Sequence, residues 1–152
     1  MQKIVTFLWF DNNAEEAMNF YTSVFKNSKI ISTKKIPDGS TIMGILEIEG
    51  QEFYLLNGGP QFTFTEAISL MVKCEDQEEV DYLWNKLTSD GGEESMCGWL
   101  KDKFGLSWQI TPNTLLRLMG DKDPVKAKRV MDAMLTMKKI EVSKLEDAYE
   151  GK

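Results

Sequence analysis

The feature that most narrows the folds open to this chain is a helical stripe that occurs twice. Ala17, Phe20, Tyr21 and Val24 are spaced for one face of an α-helix, and 63 residues on (17 to 80, 24 to 87) Val80, Leu83, Trp84 and Leu87 repeat the spacing. Each stripe follows a polar residue with glutamate three places later, Asn13 with Glu16 and Asp76 with Glu79, which is capping-box spacing. The hairpins echo each other as well. Gly44 to Asn57 (GILEIEGQEFYLLN) turns at Gly50, and Gly98 to Thr111 (GWLKDKFGLSWQIT) turns at Phe104-Gly105, a displacement of 55 (50 to 105). Helix and hairpin repeated in the same order read as a duplicated module, the second shorter by about eight residues between its helix and final turn.

The intervening segments fit strands. Ile4 to Phe10 is apolar except for Thr6, and Ser28 to Pro37, Thr41 to Glu49 and Gln51 to Asn57 follow, with a turn at Asp38-Gly39. Gly58-Gly59-Pro60 breaks the pattern before Ala67 to Val72 resumes it. The expected organisation is a single α+β domain over 1–152, with module one at 1–60, module two at 61–112 and a helical extension at 113–152. In that extension Asp123-Pro124 marks a helix start, Ser143 with Glu146 opens a last short helix, and Met131, Met134 and Met137 read as core or subunit-interface packing.

Composition removes several function classes. There is no histidine, so Ser-His-Asp, Cys-His and His-Glu-x-x-His chemistry is absent. A net charge of -6 and a pI near 4.8 argue against a nucleic-acid or anionic-membrane partner. No stretch reaches the roughly 20 apolar residues of a membrane span. Cys74 and Cys97 lack C-x-x-C spacing, and with no leader pattern at the start the expectation is a cytoplasmic protein in a reducing compartment. Cys97 reads as a buried structural cysteine rather than a nucleophile, and Lys101-Asp102-Lys103 as ordinary charged surface.

The motifs N-A-E-E-A-x-x-F-Y on the first helix, G-W-L-K-D-K-F-G-L-S-W-Q at the last hairpin, F-L-W-F-D, L-L-N-G-G-P and A-I-S-L-M-V resemble the PhnB-like, 3-demethylubiquinone-9 3-methyltransferase-like family. That family lies in the vicinal oxygen chelate superfamily, with glyoxalase and bleomycin-resistance proteins. The resemblance implies tandem βαβββ modules curved into a half-barrel around a cavity, often completed by a second subunit, hence a homodimer. It also implies metal-ligand positions, which fall here on Thr6, Tyr54, Ser69 and Gln109.

Only Gln109 is a usual ligand type, so the expectation is no metal and no cofactor, with Gln109 hydrogen-bonded to Tyr54 or Ser69. Strand alternation puts Thr6, Leu8 and Phe10 with Ser69 and Met71 on one face beside Tyr54 and Leu56. Thr6, Tyr54, Ser69 and Gln109 would orient the polar end of a small organic ligand, and Leu8, Phe10, Leu56 and Met71 would contact its apolar part. An enzyme of the superfamily, methyltransferase or metal-dependent lyase or dioxygenase, is the alternative.

Overall fold

A computed structural model describes residues 2–152. The chain divides into two compact units, Met1–Phe64 and Thr65–Lys152. The first holds β1 (Thr6–Phe10), α1 (Ala14–Val24), β2 (Ser28–Lys35), β3 (Thr41–Ile48) and β4 (Gln51–Asn57). The sheet order is β1-β4-β3-β2, with β1 parallel to β4 and the other pairs antiparallel.

The second unit repeats this plan with β5 (Ser69–Cys74), α2 (Gln77–Leu87), β6 (Glu93–Glu94), β7 (Trp99–Lys101) and β8 (Ser107–Pro112) in the order β5-β8-β7-β6. Again only the first and last strands run parallel. The fold is therefore α+β with two four-stranded sheets, and both helical stripes are buried as their spacing requires. No helix among the described residues is long and apolar enough to cross a membrane.

In the first unit α1 lies over the sheet face that carries Leu8, Leu55 and Gly44, which are neighbours across β1, β4 and β3. Gly44 is where Met18 of the helix seats: a Cβ there would fall 2.2 Å from the Met18 sulfur. Any side chain would lift the helix or displace that methionine. The cap of α1 is not the local one that its sequence suggests, because Asn13 makes no side-chain cap. The Asn57 Oδ1 instead accepts from the Ala14 N–H at 2.9 Å, so the end of β4 closes the helix. Asp76 does cap α2, accepting from the Glu79 N–H.

After β8 the chain forms α3 (Asn113–Met119), α4 (Pro124–Met134) and α5 (Val142–Glu150) around Leu115, Leu118, Val130, Met137, Ile140 and Leu145. Each such side chain is worth about 1.5–3 kcal/mol on burial, enough to hold a three-helix cluster against the sheet. Met134 packs on this cluster and Met131 is exposed. The Arg129 guanidinium donates to the carbonyls of Ala148 and Tyr149, closing the end of α5. The start of α5 uses Gln77 of α2 rather than Ser143: the Gln77 Oε1 accepts from the Val142 N–H at 2.7 Å, and its Nε2 donates to the Ile140 carbonyl at 3.0 Å. Lys139 pairs with Asp81, which holds the Asp81 carboxyl below the usual range, chiefly through that hydrogen bond.

Candidate functional site

Strand register decides which side chains can share a face. In the first unit Phe7 stands beside Tyr54 and Trp9 beside Leu56, with Ile45 and Met43 continuing that row across β3. The part of this face formed by those six residues, opposite α1, is apolar, and Glu47 and Glu52 continue it toward the Gly50 turn. The Phe7 and Tyr54 rings lie 6.0 Å apart, and Phe7 keeps 54% of its surface exposed. Trp9 donates its indole N–H to the Gly59 carbonyl at 2.9 Å and meets Phe62 edge-on. Gly58 has a reason to be glycine, since a Cβ would lie 2.3 Å from the Trp9 ring.

The expected placement of Thr6, Leu8 and Phe10 is thereby corrected. They pair with Phe53, Leu55 and Asn57, and Leu8 and Phe10 are buried on the face under α1, away from Tyr54 and Leu56. The physical reason is a single residue. Three residues (11–13) separate β1 from α1, but only two (75–76) separate β5 from α2. A repeat of 63 taken from the helices therefore becomes 64 at the first strand, and because side chains alternate, a one-residue slip exchanges the faces. Ser69 corresponds to Val5 rather than Thr6, and Phe7 corresponds to Met71.

In the second unit Ser69 and Met71 of β5 stand beside Ser107 and Gln109 of β8, and Lys101 and Trp99 of β7 stand beside the same two residues. These six form one patch on the face opposite Leu70, Trp108 and Leu100. Gln109 donates its amide N–H to the Ser69 hydroxyl at 2.9 Å. Neither side chain makes another hydrogen bond among the described residues, so the Gln109 Oε1 and the Ser69 O–H keep their capacity for a further partner. Lys101 forms an ion pair with Glu66. Its hydrogen bond holds the Glu66 carboxyl below the usual range and pushes the Lys101 ammonium up.

Ser69 and Gln109 offer one hydroxyl and one amide, with no negative charge between them. A divalent ion requires anionic or imidazole donors to offset its dehydration, so this donor set does not fit one. No group of three His, Cys, Asp or Glu suited to a metal occurs among the described residues.

Two residues escaped the sequence reading. Asp102 is not surface charge: it is 2% exposed, its Oδ1 accepts from the N–H groups of Phe104 and Leu106, and its Oδ2 accepts from the Trp108 indole at 2.9 Å. It thereby builds the hairpin that carries Gln109. The signal was present in D-K-F-G-L-S-W, where an aspartate beginning a glycine turn can bond the backbone two residues on. Ser107 was missed because a lone serine in a strand carries no signal. Cys97 is half-buried rather than buried and adopts φ 60, while burial pushes the Cys74 thiol up to about 12.

The family described as 3-demethylubiquinone-9 3-methyltransferase matches residues 2–111. A solved structure of a PhnB protein from Bacillus cereus is 42% identical. It covers 73% of this chain and 99% of its own, with a TM-score of 0.68. Two more distant structures share the fold. A glyoxylase/bleomycin resistance protein/dioxygenase domain from Frankia is 12% identical, covers 74% of this chain and 92% of its own, and has a TM-score of 0.50. A fosfomycin resistance protein from Listeria monocytogenes, complexed with Mn(II) and sulfate, is 16% identical, covers 71% and 89%, and has a TM-score of 0.52. No curated protein matches the chain. The family match ends at residue 111, so α3, α4 and α5 lie beyond it. With its repeated helix-and-hairpin units, its register and more than two thirds of its length matched, the chain belongs to the PhnB-like, 3-demethylubiquinone-9 3-methyltransferase-like family of the vicinal oxygen chelate superfamily.

Proposed function

We propose that this protein binds a small, partly apolar organic molecule on the face of its second sheet that carries Ser69, Met71, Trp99 and Gln109, without a metal ion. The observation that carries this reading is the Gln109 amide, fixed by Ser69 with its carbonyl oxygen and second N–H unused and flanked by Met71 and Trp99. A few oriented polar groups in an apolar lining are what small-ligand sites have in common. Tyr54 and Leu56, with Phe7 and Trp9, share a separate face in the first unit.

The methyl-transfer wording attached to the family does not guide this reading. A nucleotide-fold methyltransferase places a glycine-rich loop between a parallel strand and a helix. Here Gly58 and Gly59 follow β4 and serve Trp9, and the next helix begins at Gln77.

Native mass spectrometry of protein taken gently from cells tests the proposal. Wild type is expected to retain an organic molecule, and Gln109→Ala to lose most of it, on the order of ten-fold in occupancy for a lost polar anchor. Equal retention by both would move the site elsewhere. The protein is also inferred to be a homodimer, supported by the apolar Val125, Met131 and Leu135 left exposed at the C-terminal helices. Light scattering at micromolar concentration is expected to give twice the chain mass, and a monomer would remove that inference.

A further inference from the structure

Ser107 is 1% exposed, and its hydroxyl is the one buried side-chain polar atom among the described residues that has no hydrogen-bond partner. A buried hydroxyl normally finds a partner, because leaving it bare forfeits its hydration without return. An orphan of this kind asks for an explanation.

Its neighbours supply one. Lys101 on β7 and Ser69 on β5 are the direct cross-strand partners of Ser107, one on each side of β8. Glu66 lies three residues before Ser69, so the Lys101–Glu66 ion pair reaches from β7 across β8 to the chain entering β5, on the face that bears Ser107. The carboxylate of Glu66 thus sits on the lysine that stands beside an unpartnered hydroxyl. The Glu66 side chain is 59% exposed, so it can swing into water at little cost, as exposed ion pairs generally can.

We propose that Lys101, Ser107, Ser69 and Gln109 form a carboxylate-binding corner, in which Glu66 occupies the lysine until the carboxylate of a small organic acid displaces it. Resting on the small-molecule reading above, this names its substrate class. Lys101 supplies the charge, Ser107 donates the O–H that now has no acceptor, and the free amide N–H of Gln109 reaches the second oxygen or its neighbour. Met71 and Trp99 receive the carbon skeleton. Glu66 is a built-in competitor, setting the affinity and excluding neutral molecules of the same shape, which cannot replace a carboxylate on an ammonium.

The test uses the full chain, labelled with nitrogen-15 and titrated with benzoate and phenylacetate against benzamide and phenylacetamide. The carboxylates are expected to shift the backbone signals of Lys101, Ser107 and Gln109 saturably, with the amides weaker on the order of ten-fold. Glu66→Gln should tighten the carboxylates several-fold, and Lys101→Met should erase the preference for charge. Ser107→Ala should weaken them while leaving Tm unchanged or higher, because it removes an unpaired polar atom; a purely structural serine would lower Tm instead. Equal binding of acids and amides overturns the carboxylate assignment while leaving a small-molecule site in place. An unchanged carboxylate affinity in Glu66→Gln overturns it too. If neither set binds, the proposal falls, and the wild-type native mass spectrum, read separately, decides whether the broader reading falls with it.

Discussion

Asp102→Ala is expected to lower unfolding stability by about 3–5 kcal/mol, because three donors lose a charged acceptor in a site that water does not reach freely. The carboxylate is 2% exposed and spans the Phe104 and Leu106 N–H groups and the Trp108 indole. Removing it also frees the turn that joins β7 to β8, since the Asp102 backbone exchanges bonds with Leu106 and Gly105. Asp102→Asn keeps one acceptor oxygen and should cost less, roughly 1–2 kcal/mol, because its amide must face a donor. Urea denaturation of both variants gives the comparison, and the asparagine variant stands in should the alanine variant fail to fold. A loss under about 1 kcal/mol for alanine would mean that water replaces the carboxylate, contrary to the burial found here.

Gly98→Ala is the second large effect, about 2–5 kcal/mol from left-handed strain and overpacking together. Gly98 has φ +82, and a Cβ there would lie 3.0 Å from both the Ile110 carbonyl oxygen and Ile140. Its N–H donates to the Lys138 carbonyl and its own carbonyl accepts from the Ile110 N–H, each at 2.8 Å. One residue therefore joins the C-terminal helices to the strand that bears Gln109. Gly105→Ala is the control, since φ +87 there carries similar strain but nothing lies within 4 Å of the added carbon. It should cost only about 1 kcal/mol. Equal losses at the two positions would show that the C-terminal helices do not press on Gly98.

These two residues also show where a sequence stops being legible. The stripes of α1 and α2 were readable because burial repeats every turn and each position is tested several times over. Helix boundaries set by distant residues were not: Asn57 caps α1 and Gln77 caps α5, and neither pairing leaves a local trace. Ser69 and Met71 kept their shared face because they lie two residues apart on one strand, and Gln109 is positioned by its short distance from the Gly105 turn. Thr6, Leu8 and Phe10 were misplaced by one loop residue, an error that strand alternation magnifies into a complete exchange of faces. Ser107 could not be sorted from surface polar residues by type, because its burial depends on cross-strand neighbours. The strand Glu93–Glu94 was too short and too polar to announce itself.

The most direct test of the whole account is a crystal structure of the protein purified without chelator or added ligand, with density read at Ser69, Trp99, Lys101 and Gln109. The account predicts an organic molecule whose acidic end contacts Lys101 and Ser107, with Glu66 turned away. A divalent ion held by Gln109, or a ligand bound only among α3, α4 and α5, would contradict it.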